Sequence, residues 1–290
     1  MLCPSCDTQV EAKHRYCFEC GAPLADAPQR SLSPAEVKRL LELTFAFEVT
    51  QMVDQAITAF SAVLEQHPNY ADVHYKLAAA YEAKGEIGKA IKQYRQAVNI
   101  NPTYVAARCK LGELYSDEGL TEEALEEFKA VLQTRTRPRY ADVHNNMGVA
   151  YEASGHYARA IRSYKKAIEI NPRYVRAHFN LGNALSQQNK HEAAIEEYRI
   201  VLELNPRDTL AMNNMGIALA RLERFREAAS AFEDAIAITP AYARAHLNLA
   251  HVYREMGDQA VAISEYEKAL ELEPADPETA QLLEDLREKI

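Results

Sequence analysis

Four cysteines fall within the first 20 residues, as Cys3-Pro-Ser-Cys6 and Cys17-Phe-Glu-Cys20, with ten residues between the pairs. Each C-x-x-C pair forms a knuckle that turns both sulfurs toward one point. Two knuckles together supply the four thiolates of a tetrahedral metal site. Residues 1–24 are too few to bury a sufficient apolar core, so bound zinc would act as the core of this segment. A closed four-thiolate site leaves no position for water or substrate, which points to structure or docking rather than catalysis. Four thiolates also suit iron, and the residues alone do not choose between the metals. The segment's two fixed cations, Lys13 and Arg15, are set against Asp7, Glu11 and Glu19, a poor balance for contact with nucleic acid. The fifth cysteine, Cys109, has no second cysteine near it in sequence and reads as a small apolar side chain.

A second chemical pattern is made of amides. Asn146, Asn180, Asn214 and Asn248 recur at intervals of 34 residues. Asparagine is a poor choice inside a helix, so a run of them needs some other benefit. Its side chain carries both a donor and an acceptor and can pair with the backbone of an extended peptide whatever that peptide's side chains. Each such bond contributes about 0.5–1.5 kcal/mol net, and a ladder of them adds up. The competing account is that these asparagines are kept through duplication and only fit the packing. His74, His144, His178 and His246 also recur in phase, but as packing residues about a repeat apart rather than as a metal ladder.

The elements that position these residues are helical. The 290-residue chain is 48% hydrophobic and 26% charged, with only 10 glycines and 12 prolines, a soluble globular profile that favours helix. Net charge is −9, which disfavours a phosphate backbone as the main partner. There is no apolar run long enough for a membrane span and no basic-then-apolar leader. The expected location is the cytoplasm, where thiols stay reduced and clustered cysteines bind metal. Phosphate-binding glycine loops, nucleophile elbows and HExxH helices are missing from the sequence, so no enzymatic activity is expected.

Prolines at 68, 102, 138, 172, 206, 240 and 274 mark a period of 34 residues with one interval of 36. In phase with them run small residues (Ala78, Gly112, Gly148, Gly182, Gly216, Ala250) and alanines (Ala56, Ala90, Ala124, Ala160, Ala194, Ala228, Ala262). Four residues beyond each alanine stands an aromatic: Phe60, Tyr94, Phe128, Tyr164, Tyr198, Phe232 or Tyr266. Gly85, Gly119, Gly155, Asn189 and Gly257 fall where a left-handed residue would end the first helix of each unit. This pattern resembles the tetratricopeptide-repeat (TPR) family over residues 37–276. The resemblance implies an all-α superhelix of seven repeats, closed by a capping helix over 277–290 whose Leu282, Leu283, Leu286 and Ile290 form an apolar stripe. Residues 1–24, with Pro4 and Gly21 at their knuckles, resemble a zinc ribbon, and the proline-containing stretch 25–36 reads as a linker.

In TPR proteins the sixth position of a repeat faces the concave groove, and there the asparagine series is similar to known asparagine ladders. Arg176, Phe179, Asn183, Asn213, Arg244, His251 and Arg254 fall beside it by phase and suit a peptide with acidic and apolar groups. The family's carboxylate clamp is not matched as a whole: Asn183 and Asn214 agree and Arg244 approximates a lysine, but the clamp wants lysine where Phe179 stands and arginine where Asn248 stands. Repeats one to three carry Glu42, Lys76 and Lys110 at the sixth position, and the asparagines begin after a two-residue insertion near 133–139 that brings Arg135, Arg137 and Arg139 together. Two functional blocks are expected, the second binding the peptide. The reading is a non-enzymatic scaffold or adaptor that grips an extended segment of a partner protein, with a Zn2+-bearing ribbon as docking or structural module. The alternative is a nucleic-acid-associated regulator whose ribbon touches RNA or DNA.

Overall fold

The structure is a computed structural model that describes residues 53–134 and 140–287. The four-cysteine segment, the linker, the first helix of the first repeat and the arginines at 135, 137 and 139 lie outside the described residues. The described residues form fourteen α-helices and no strand. The chain divides into two compact units, Met1–Pro138 and Arg139–Ile290, a boundary that falls within the 133–139 insertion. The first unit contains α1 (Val53–Gln66), α2 (Ala71–Ala83), α3 (Ile87–Ile100), α4 (Val105–Asp117) and α5 (Thr121–Leu132). The second contains α6 (Ala141–Ala153), α7 (Tyr157–Ile170), α8 (Val175–Gln187), α9 (His191–Leu204), α10 (Thr209–Arg221), α11 (Phe225–Ile238), α12 (Ala243–Met256), α13 (Gln259–Leu272) and α14 (Pro277–Arg287).

Each short turn reverses the chain, so consecutive helices pack as antiparallel pairs, α2 with α3 through α12 with α13. The residue ending each first helix is left-handed: Gly85, Gly119, Gly155, Asn189, Glu223 and Gly257 all have positive φ. Glu223 is the one that the sequence reading lacked. Its backbone takes the same turn because the two helices it joins are held together by their packing, although a side chain is costly there. Asp208 between two pairs and Asp258 within the α12–α13 turn cap the following helices by accepting from the backbone N–H groups of Ala211 and Val261.

The core of each pair is a small residue facing an aromatic. A Cβ added to Gly112, Gly148, Gly182 or Gly216 would lie 2.3–2.7 Å from the ring of Phe128, Tyr164, Tyr198 or Phe232, so only glycine fits the spacing seen there. All seven aromatics of the phased series are at most 1% exposed. Within each unit the second helix of one pair also packs on the first helix of the next, which is how single pairs join into a stack. In the second unit the helix after the last pair, α14, takes that place and buries Leu283 and Leu286 against Ala250, Ala262 and Tyr266.

Candidate peptide-binding face

In the second unit, successive first helices also touch one another: α6 with α8, α8 with α10 and α10 with α12. The second helices meet one another less. The stack therefore bends with its first helices on the inner side, and their sixth positions are Asn146, Asn180, Asn214 and Asn248. All four are half-buried.

The amides are linked from repeat to repeat. Asn180 donates through Nδ2 to Asn145 Oδ1 at 3.0 Å, and Asn145 donates in turn to Asn146 Oδ1 at 3.2 Å. Two repeats on, Asn248 donates to Asn213 Oδ1 at 2.9 Å and Asn213 donates to Asn214 Oδ1 at 3.3 Å. Asn214 donates to Asn183 Oδ1 at 3.0 Å, which also accepts the Tyr198 hydroxyl at 2.8 Å. Asn145 and Asn213 are 1% and 2% exposed, so they act as interior struts. Asn213 had been expected on the accessible wall by phase; its burial leaves it to orient Asn248 from beneath. An amide has two N–H donors and two acceptor lone pairs. Asn180 and Asn248 each spend one donor on the chain, and among the described residues nothing occupies their Oδ1 atoms. Their free bonding capacity is therefore held in a set direction.

The flanking residues divide by exposure. Arg176 and Arg244 are exposed, whereas Phe179, Asn183, His251 and Arg254 are half-buried. The Phe179 ring meets Tyr198 edge-on, with centroids 6.1 Å apart. Arg254 is already engaged with Glu255 at 3.0 Å. Asn145 left one mark in the sequence, the Asn145-Asn146 doublet repeated as Asn213-Asn214.

The recurring histidines brace the fold. His178 places Nδ1 at 2.6 Å from Glu197 Oε2 and Nε2 at 3.1 Å from the Pro172 carbonyl. His246 makes the same pair with Glu265 and Pro240, at 2.6 and 3.0 Å. His74 does so with Gln93 and Pro68, and Arg108 stands in for histidine with Glu127 and Pro102. At 74, 108, 178 and 246 the fourth position thus ties the first helix to the second helix and to the proline turn before it. Hydrogen bonding to Glu197 raises the His178 pKa above its ordinary value, against the opposing effect of burial. Among the described residues no cluster of His, Cys, Asp or Glu could hold a metal, and no helix is long and apolar enough to cross a membrane.

Family models described as tetratricopeptide repeat match residues 103–173, 145–209 and 209–275, and one described as TPR repeat matches 52–85 and 81–119. Together they run from 52 to 275 with no gap. The chain belongs to the tetratricopeptide-repeat family. TPR structures similar to it include YrrB, a TPR protein with an unusual peptide-binding site, at 22% identity over 64% of this chain and 95% of that chain, with a TM-score of 0.52. Pseudomonas aeruginosa pilF is similar at 22% identity over 74% and 97%, with a TM-score of 0.62. MamA is similar at 26% identity over 57% and 95%, with a TM-score of 0.53. A comparison with curated protein sequences gives no match. TPR arrays present extended binding surfaces built from stacked repeats, the work of an interaction scaffold.

Proposed function

We propose that this TPR protein is a non-enzymatic adaptor that holds an extended partner segment along the asparagine face of its second unit. The observation that carries this reading is the pinning of the amides. Asn180, Asn214 and Asn248 are each fixed through one N–H to a neighbouring repeat, with hydrogen-bonding capacity left over. Preorganised amides lose little freedom on binding and suit a backbone partner, whose donors and acceptors alternate along an extended strand. A structural neighbour is itself described as having a peptide-binding site, which fits the reading. In the same proposal Cys3, Cys6, Cys17 and Cys20 hold Zn2+, and their ribbon, residues 1–24, docks a second component. The array counts seven repeats, with α14 and the residues after it as the cap.

The test is affinity selection of extended peptides from a library on the wild-type chain, followed by titration of the winners against Asn180→Ala/Asn214→Ala. A fall in affinity of about ten-fold is expected from two lost backbone bonds. Unchanged affinity in a variant that keeps its helical signal would remove the asparagines from the site. Metal analysis of Cys17→Ser/Cys20→Ser, which should lose one zinc per chain, tests the ribbon separately. The nucleic-acid reading predicts binding to RNA or DNA that weakens steeply with salt; peptide binding with no such nucleic-acid binding favours the adaptor.

A further inference from the structure

The second unit alternates with a period of two repeats. Asn-Asn-Met-Gly stands at 145–148 on α6 and again at 213–216 on α10. Arg-Ala-His-Phe-Asn-Leu stands at 176–181 on α8, and Arg-Ala-His-Leu-Asn-Leu at 244–249 on α12. α6 and α10 supply the struts, and α8 and α12 supply the residues held by them: Asn180 is pinned by Asn145, and Asn248 by Asn213.

On α8 and α12 the arginine and asparagine are four residues apart, so Arg176 and Asn180 share one helix face, as do Arg244 and Asn248. Phe179 and Leu247 lie beside them. Arg176 and Arg244 are exposed, and neither makes an ion pair among the described residues. The acidic residues that give the chain its net charge of −9 are sparse around these arginines: on the neighbouring α6, Glu152 accepts the Tyr164 hydroxyl, and Asp142 is exposed one repeat before Arg176. α8 and α10 contain no Asp or Glu, and the one acid of α12, Glu255, is engaged by Arg254. A cationic stripe within an acidic chain is complementary to carboxylates.

We propose that α8 and α12 carry two equivalent subsites for acidic residues of one extended segment. At each, Arg176 or Arg244 meets the side-chain carboxylate while Asn180 or Asn248 bonds the backbone of the same stretch, and Phe179 or Leu247 covers a neighbouring apolar side chain. The partner class is an extended polypeptide with two carboxylate-bearing residues set at a fixed spacing. This is not the whole TPR carboxylate clamp: Arg244 approximates one of its lysines, but two of its cation positions hold Phe179 and Asn248 here. Two sites on one unit raise the effective concentration of the second contact, so a correctly spaced pair of acids binds better than either alone. The inference rests on the asparagine-face reading above.

The test uses fluorescein-labelled extended peptides carrying two glutamates separated by roughly 4 to 12 residues, a range that spans a face of this size in extended chain. The same peptides with glutamine in place of glutamate serve as controls. Anisotropy titrations compare wild type, Arg176→Gln/Arg244→Gln, Arg176→Gln alone and Asn180→Ala/Asn248→Ala. The glutamate series should show a spacing optimum at which it binds about ten-fold tighter than glutamine, as expected for two exposed charge contacts. The double arginine variant should lose that preference, and the single variant should lose the optimum. Equal affinity for glutamate and glutamine, with both weakened by the asparagine variant, overturns the acidic subsites and leaves the asparagine face standing. Failure of wild type to bind any member also overturns them, and the asparagine face then stands or falls on its own library selection.

Discussion

Gly148→Ala sets two effects against each other, and the structure decides which wins. Replacing glycine within a helix favours folding by about 1 kcal/mol through propensity. At Gly148 the new Cβ would lie 2.3 Å from the Tyr164 ring, more than an ångström inside ordinary contact of about 3.5 Å. The ring cannot easily withdraw: Tyr164 is fully buried, and its hydroxyl donates to Glu152 Oε2 at 2.7 Å. Overpacking of this kind costs about 1–3 kcal/mol, and a pinned ring puts this case in the upper part of the range. The net expectation is a loss of about 1–2 kcal/mol. Ala78 faces the buried Tyr94 in its own pair, so a wider spacing can be built when the whole pair is matched to it; a single substitution has no such adjustment. Gly88 in α3 is the control, with nothing within 4 Å of an added Cβ. Gly88→Ala should gain about 0.5–1 kcal/mol. Urea and thermal unfolding followed by circular dichroism would report both, at about 2–4 °C per kcal/mol for a chain of this size. A Gly148→Ala protein that unfolds at or above wild type would refute the packing argument.

Glu223→Gly should stabilise the chain by about 0.5–1 kcal/mol, because the left-handed backbone costs an L-residue about 1–2 kcal/mol and glycine returns part of that gain as unfolded-state entropy; a lower melting temperature would contradict this. The His178–Glu197 pair should make stability depend on pH. Because the folded pKa is raised, its contribution is full below the unfolded value of about 6.5 and is lost as pH rises through the folded one. The half-buried His144 and His251 are shifted downward by desolvation and act in the opposite direction, so the quantity to measure is the difference in urea midpoint between wild type and Glu197→Gln across that range. A difference that does not shrink with rising pH would rule the pair out.

Much of the fold is legible in the sequence because it is periodic and local. A repeat of 34 residues carries its small residue, its aromatic and its turn residue at fixed offsets, and each acts within a single helix pair. Gly148 and Tyr164 can be matched by counting, since both belong to one pair whose register the short turn sets. Glu223 escaped because residue type is a weak guide to a backbone conformation imposed by the packing on either side.

The site is different, because its bonds run between repeats. Asn180 reaches Asn145 across 35 residues, whereas Asn214 reaches Asn183 across 31, so the amide partners follow no single offset. Which acceptor a given amide finds depends on how neighbouring first helices lie against each other, and that emerges only when the repeats are stacked. The spacing of Asn146, Asn180, Asn214 and Asn248 was visible from the sequence alone. That Asn145 and Asn213 lie beneath the face, and that His178 joins Glu197 to the Pro172 carbonyl, was decided by tertiary structure, since a side-chain hydrogen bond depends on distance and direction rather than on position along the chain.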